Sequence, residues 1–144
     1  MLKFRLPAGL AVFAAVAIAA PAIASATTSS VKLFQNPGRT AECGIKIHAA
    51  HKPATQLLCS AAGIPRPKHG GPAGDPFVQI SASGPPQLVL ISQDSFVSNT
   101  VHTLTKGTLW HSIGVTCNIG TKTILCFNGD NHGFVIGNGK YNPF

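Results

Sequence analysis

Acidic residues are scarce in this chain. Among 144 residues there are four, Glu42, Asp75, Asp94 and Asp130, against eleven Lys and Arg, and the formal net charge is +7. Glycosidase chemistry by two facing carboxylates therefore has few residues to draw on: Asp75 falls in a Pro-rich stretch and Glu42 abuts a cysteine. No serine stands in a G-x-S-x-G elbow, no C-x-x-C pair suggests a zinc finger, and no glycine-rich phosphate loop is present. The chain has one Trp, one Tyr and one Met. The basic residues stand mostly singly, so the basic stripe interleaved with aromatics that marks nucleic-acid binders is missing, and no nucleic-acid partner is expected. Beyond the N-terminal region, no stretch carries a helical period.

The N-terminal region is itself distinctive. Lys3 and Arg5 precede the apolar run 10–20, Pro21 interrupts it, and Ala24-Ser25-Ala26 ends it with small residues at the positions signal peptidase reads. The compact apolar part is shorter than the roughly 20 residues of a membrane span, and no basic stop-transfer cluster follows. Residues 1–26 read as a cleavable signal peptide, leaving 27–144 as one secreted domain with no stable membrane anchor. A moderate positive charge suits either simple solubility or an anionic partner.

All four cysteines, Cys43, Cys59, Cys117 and Cys126, fall in the exported part. An even count in an oxidising compartment reads as two disulfides. Three connectivities are open at this point. The surrounding residues repeat: Glu42-Cys43-Gly44-Ile45 echoes Thr116-Cys117-Asn118-Ile119, and Leu58-Cys59 echoes Leu125-Cys126. If Thr121-Lys122 is a two-residue turn, Gly120 faces Thr123 as a hydrogen-bonded pair. Alternation then sets Cys117 opposite Cys126 at a non-hydrogen-bonded position, where Cα atoms lie about 4.5 Å apart. The pattern favours Cys43 with Cys59 and Cys117 with Cys126.

Short Val-, Ile-, Leu- and Phe-rich runs punctuated by Gly, Pro and Asn predict strands at 31–35, 41–48, 56–60, 77–81, 87–92, 108–113, 115–119, 123–127 and 133–136. The fold class expected is all-β, a small antiparallel sandwich or barrel built on two disulfide-stapled hairpins. Residues 63–76, rich in Pro and Gly, read as a long loop, since proline removes ladder donors.

The stretch from Gly107 through Trp110 and Gly114 to Cys117, then Cys126-Phe127-Asn128 and His132-Gly133-Phe134, ending in Tyr141 and Phe144, resembles a family of small secreted bacterial proteins of unknown function, found mainly in high-GC Gram-positive bacteria. Phe34-Gln35-Asn36-Pro37 resembles that family's opening strand. Asn131 stands where the family pattern has glycine. The resemblance implies compartment and fold, and brings no catalytic residue.

The segment Asn128-Gly129-Asp130-Asn131-His132 has two readings: Asp130 orienting His132 for proton transfer, or an Asx-rich turn in which the His132 imidazole ties loop backbone groups. His48 and His51, and separately His102 and His111 as cross-strand neighbours, are weak metal pairs. Trp110 reads as a core plug rather than a ligand platform. No cofactor and no metal are expected. The functional reading is a secreted non-enzymatic binding module for an envelope polymer or exported protein, with Asn128, His132 and Trp110 as candidate contacts. The alternative is a small extracellular hydrolase using His132 and Asp130.

Overall fold

In the computed structural model, residues 27–28, 30–46, 55–68, 73–91 and 100–144 are described. The expected signal peptide and His48, His51, His69 and Asp94 lie outside them. The described residues form twelve strands: β1 (Thr27–Thr28), β2 (Leu33–Gln35), β3 (Ala41–Ile45), β4 (Gln56–Ala61), β5 (Asp75–Ser81), β6 (Gln87–Ile91), β7 (His102–Thr103), β8 (Leu109–Ser112), β9 (Val115–Ile119), β10 (Ile124–Asn128), β11 (Gly133–Gly137) and β12 (Lys140–Pro143). All nine expected strands are among them, with ends shifted by a few residues. No helix is present among the described residues.

The strands make two six-stranded sheets. Sheet A runs β1-β8-β9-β10-β11-β12 and sheet B runs β7-β2-β3-β4-β5-β6. Each is an antiparallel meander of five consecutive strands, completed by one two-residue strand that pairs in parallel with the first member. That short strand is exchanged. β1 precedes the sheet B meander yet pairs with β8, and β7 precedes the sheet A meander yet pairs with β2. The halves therefore have the same topology and each supplies the other's outermost strand.

Register extends the likeness residue by residue. In sheet B, Phe34, Cys43, Cys59 and Val78 lie opposite one another across β2 to β5. Trp110, Cys117, Cys126 and Phe134 do the same across β8 to β11 of sheet A. One step along the sheets, Ile45, Leu57 and Ile80 correspond to Ile119, Ile124 and Ile136. Because side chains alternate faces along a strand, both rows point inward from each sheet, and every member is essentially inaccessible to solvent. Phe34 and Trp110 meet between the sheets with ring centroids 4.9 Å apart. The one polar atom of the Trp110 ring is satisfied: its Nε1–H donates to the Val31 carbonyl at 2.8 Å.

The disulfides are Cys43–Cys59 and Cys117–Cys126, with Cα separations of 4.0 and 4.1 Å. The turn that set the second one has the expected form, Gly120 N–H donating to Thr123 O at 2.8 Å. Each bond staples adjacent strands at directly opposed positions, and both face inward. The sulfurs of Cys43, Cys59 and Cys126 lie within 4.8 Å of one another, so the two disulfides stack across the middle of the sandwich.

Two sequence expectations need correction. The Pro-rich loop ends earlier than residue 76, because Asp75 and Pro76 already belong to β5. Pro76 is tolerated there because this end of β5 pairs with β6 alone, while β4 pairs only from Val78 onward, so the missing N–H interrupts no ladder on that side. His102 and His111 are not cross-strand neighbours, since β7 belongs to sheet B and β8 to sheet A.

Peptide mapping without reduction is expected to return only the two local crosslinks. Replacing the Cys117–Cys126 pair by two alanines should cost about 3 kcal/mol of stability or more, combining loop-closure entropy with lost packing. A crosslink joining the halves would contradict the topology.

Candidate functional site

The turn expected to carry His132 is organised by Asn128 instead. Asn128 ends β10 and is only 3% exposed. Its Oδ1 accepts from the backbone N–H groups of Asp130 and His132 at 3.1 and 3.2 Å. Its Nδ2 donates outward, to the carbonyls of Ser81 at 3.1 Å and Gly84 at 2.7 Å in the β5–β6 turn of the other sheet. Asp130 reinforces this link, its Oδ2 accepting from Gly84 N–H at 2.9 Å. His132 is exposed, and its hydrogen bonds to Asn128 are made by backbone groups, its N–H donating to Asn128 Oδ1 and its carbonyl accepting from the Asn128 N–H at 3.0 Å. The expected tie through the imidazole is therefore corrected: the shorter, buried amide performs it because it carries both a donor and an acceptor.

Asn36, which the sequence places only at the end of an opening strand, closes the β2–β3 turn in the same manner. Fully buried, it accepts at Oδ1 from the N–H groups of Thr40 and Ala41 at 2.9 and 3.2 Å. Its Nδ2 donates to Thr40 Oγ1 at 2.9 Å and to the Thr121 carbonyl of sheet A at 3.2 Å. Gly38 N–H and Thr40 Oγ1 add bonds to Thr121 O and Lys122 O, at 2.8 and 2.6 Å. Two buried asparagines thus pin turns of one sheet to turns of the other.

The remaining expected site residues are dispersed. Trp110 is wholly buried and offers no face to a ligand. His111 is exposed, its Nδ1 2.9 Å from Thr116 Oγ1 on the neighbouring strand. The four cysteines are all oxidised.

What the structure does assemble is a shallow groove of about 420 Å³ on the outer face of sheet B. Its floor holds the cross-strand row Gln35, Glu42 and Ser60, next to the inward row of Cys43 and Cys59, with Phe77 of β5 one residue beyond the last β4–β5 pair, Cys59 with Val78. Thr40 and Arg39 of the β2–β3 turn close one end, where Arg39 adopts a left-handed backbone (φ 52°). Asp75 and Pro76 of β5 form the far wall. Two of the chain's four carboxylates therefore line one groove. Among the described residues neither makes an ion pair or a side-chain hydrogen bond. Partial burial raises the Glu42 carboxyl above the usual carboxylate range. Neither acid carries a sequence signal for this meeting, which depends on β5 starting at Asp75.

Sheet A shows what the same position looks like when filled. The row equivalent to Gln35, Glu42 and Ser60 is His111, Thr116 and Phe127, which continues to Gly133 on β11. Phe127 stands where sheet B has Ser60, and the terminal Phe144 lies over Gly133, so closely that a Cβ there would be 2.7 Å from its ring. Sheet B has the Ser60 hydroxyl, which lines the groove, at the position where sheet A has the Phe127 ring.

Comparison with family models, curated proteins and solved structures gives no match to this chain. Function is therefore argued from the geometry.

Asn128→Ala should cost about 2–4 kcal/mol, since it leaves buried backbone groups on two sheets unpaired. His132→Ala should change stability by no more than about 0.5 kcal/mol. Denaturant unfolding of both variants checks the contrast, and equal losses would contradict it.

Proposed function

We propose that this chain is a secreted, non-enzymatic binding module of the cell envelope or extracellular space. On this reading it holds an envelope polymer or another exported protein in the groove on the outer face of sheet B. The groove carries the reading. It is concave, of a volume ordinary for ligand sites, lined by the Glu42 and Asp75 carboxylates and the Ser60 hydroxyl beside an apolar wall, and left open where the equivalent face of sheet A carries Phe127 and Phe144.

Export is supported by two further observations. Both disulfides belong to an oxidising compartment. The leader reading places cleavage after Ala26, and such cleavage keeps Thr27 and Thr28, which pair with β8, in the mature chain. The likeness to small secreted bacterial proteins points the same way. The hydrolase alternative gains no such support, since Asp130 is engaged with the Gly84 N–H in the clasp between the sheets.

Residues 27–144, produced with their disulfides, are expected to co-sediment with isolated bacterial wall material. Ser60→Phe copies into sheet B the residue that sheet A already accommodates. It should abolish most of that binding while leaving stability within about 0.5 kcal/mol of the parent, as for a surface change. Equal sedimentation of parent and variant, or none by the parent, would overturn the reading.

A further inference from the structure

Strand β6 closes one side of sheet B, and among the described residues nothing pairs with its outer side. Which of its backbone groups face outward follows from register. Cys43 and Cys59 form a non-hydrogen-bonded pair, as the Lys46 N–H donating to Gln56 O at 3.0 Å, three pairs further along, requires. Alternation then makes Cys59 with Val78 a hydrogen-bonded pair and Val78 with Leu88 a non-hydrogen-bonded one. The N–H and C=O groups of Leu88 and Leu90 therefore point away from β5, along the free edge. The same count in sheet A makes Gly133 with Phe144 a hydrogen-bonded pair, and both of its bonds are present, each at 2.9 Å.

An open edge strand is a template for pairing with another chain, and proteins commonly block it with Lys or Pro. Sheet A does so. Its outermost strand β12 carries Pro143 opposite Phe134, the place that Leu88 holds opposite Val78, and begins at Lys140. Pro143 has no N–H to offer a further strand. β6 lacks any such block. Gln87-Leu88-Val89-Leu90-Ile91 is uncharged in a chain of net charge +7, and its four aliphatic residues are all partly exposed. Two copies of this basic protein can meet here without setting lysine or arginine of one against the other's.

The strand is also its own complement. We propose that β6 joins β6 of a second copy of this chain, antiparallel about a two-fold axis at Val89, so that sheet B continues across two molecules. Leu88 of each copy then meets Leu90 of the other as a hydrogen-bonded pair, exchanging the bonds that β5 leaves unused. The two Val89 residues face one another as a non-hydrogen-bonded pair, with Cα atoms about 4.5 Å apart. Pro86, next in line on the outward side, has no N–H and ends the junction. Leu88 already packs against the core from the edge, and a second copy covers what remains exposed of it and of Leu90. A contact that is the same patch on both partners closes on itself, so the product is a dimer and not a fibre. The axis stands perpendicular to the sheet, and both outer faces of sheet B open on the same side of the pair. The pairing does not depend on what the groove holds.

A junction of this size is small beside those of tight complexes, so association is expected between about 10 μM and about 1 mM. Sedimentation equilibrium of the oxidised protein over that range should show monomer passing to dimer. Amide exchange at Leu88 and Leu90 should slow as concentration rises. The Tyr141 amide, which faces the blocked edge of β12, should exchange at one rate throughout. Val89→Lys and Val89→Glu each set like charges against one another on the axis, and each variant alone should stay monomeric at the top of the range. Mixed in equal amounts they should pair, which shows both that the variants are folded and that the two Val89 positions meet. A parent that stays monomeric throughout would overturn the proposal and leave the edge to a strand of a different protein. Exchange at Leu88 and Leu90 that ignores concentration, dimerisation that ignores Val89→Lys, or a mixture that fails to pair would overturn it as well.

Discussion

Everything in this fold is arranged about the stacking of two disulfides between two sheets. Each bond staples neighbouring strands, Cys43 on β3 to Cys59 on β4 and Cys117 on β9 to Cys126 on β10. Neither joins one sheet to the other. The sheets are held together by what surrounds the sulfurs: Phe34 against Trp110, Val78 and Phe134 on the adjoining strands, and an isoleucine- and leucine-rich layer one step along. A domain of this size buries limited apolar surface, so placing both covalent links at the centre stiffens the hairpins that present the core. The asparagine clasps at Asn36 and Asn128 then lock turns of one sheet to turns of the other, satisfying backbone groups that burial would otherwise leave unpaired.

Matching rows give the molecule an internal two-fold likeness, and the functional proposal lives in the places where that likeness fails. Both sheets share a cysteine-centred inner row. Their outer rows diverge: sheet A carries Phe127 and is covered at Gly133 by Phe144, whereas sheet B carries Ser60 between Glu42 and Phe77. One half keeps its outer face filled while the other holds a groove with exposed charge. Exchange of the short strands β1 and β7 ties the two halves, so divergence on the outer faces leaves the shared interior untouched.

Much of the scaffold was legible because its signals are local. Alternation about Gly120 and Thr123 sufficed to place Cys117 opposite Cys126, and the echo at Cys43 and Cys59 carried the same pairing to the other half. β1 and β7, at two residues each, are too short to show any period. β12 ends in Pro143 and reads poorly as a strand, although Asn138-Gly139, with φ of 53° and 73°, is a strong hairpin signal that marks its start. The groove is a different matter. It requires Glu42 and Ser60 to stand in one row with Phe77 brought beside them, which rests on pairing across the Pro-rich connection between β4 and β5, and it requires Asp75 to stand in a strand. Nothing nearby in sequence encodes either. His132 is the most chemically versatile residue of its turn, yet the organising role belongs to Asn128, whose side chain is short enough to be buried and polar at both positions.

The two halves complete one another, sharing one core and exchanging edge strands. That interdependence is tested most directly by separating them. Residues 27–91 and 100–144, each prepared with its own disulfide formed, should show poorly dispersed amide spectra and no cooperative melting when alone. Mixed in equal amounts, they should associate, recover the dispersed spectrum of the intact chain and melt cooperatively. Cooperative folding of either fragment by itself, or failure of the pair to associate, would contradict the account.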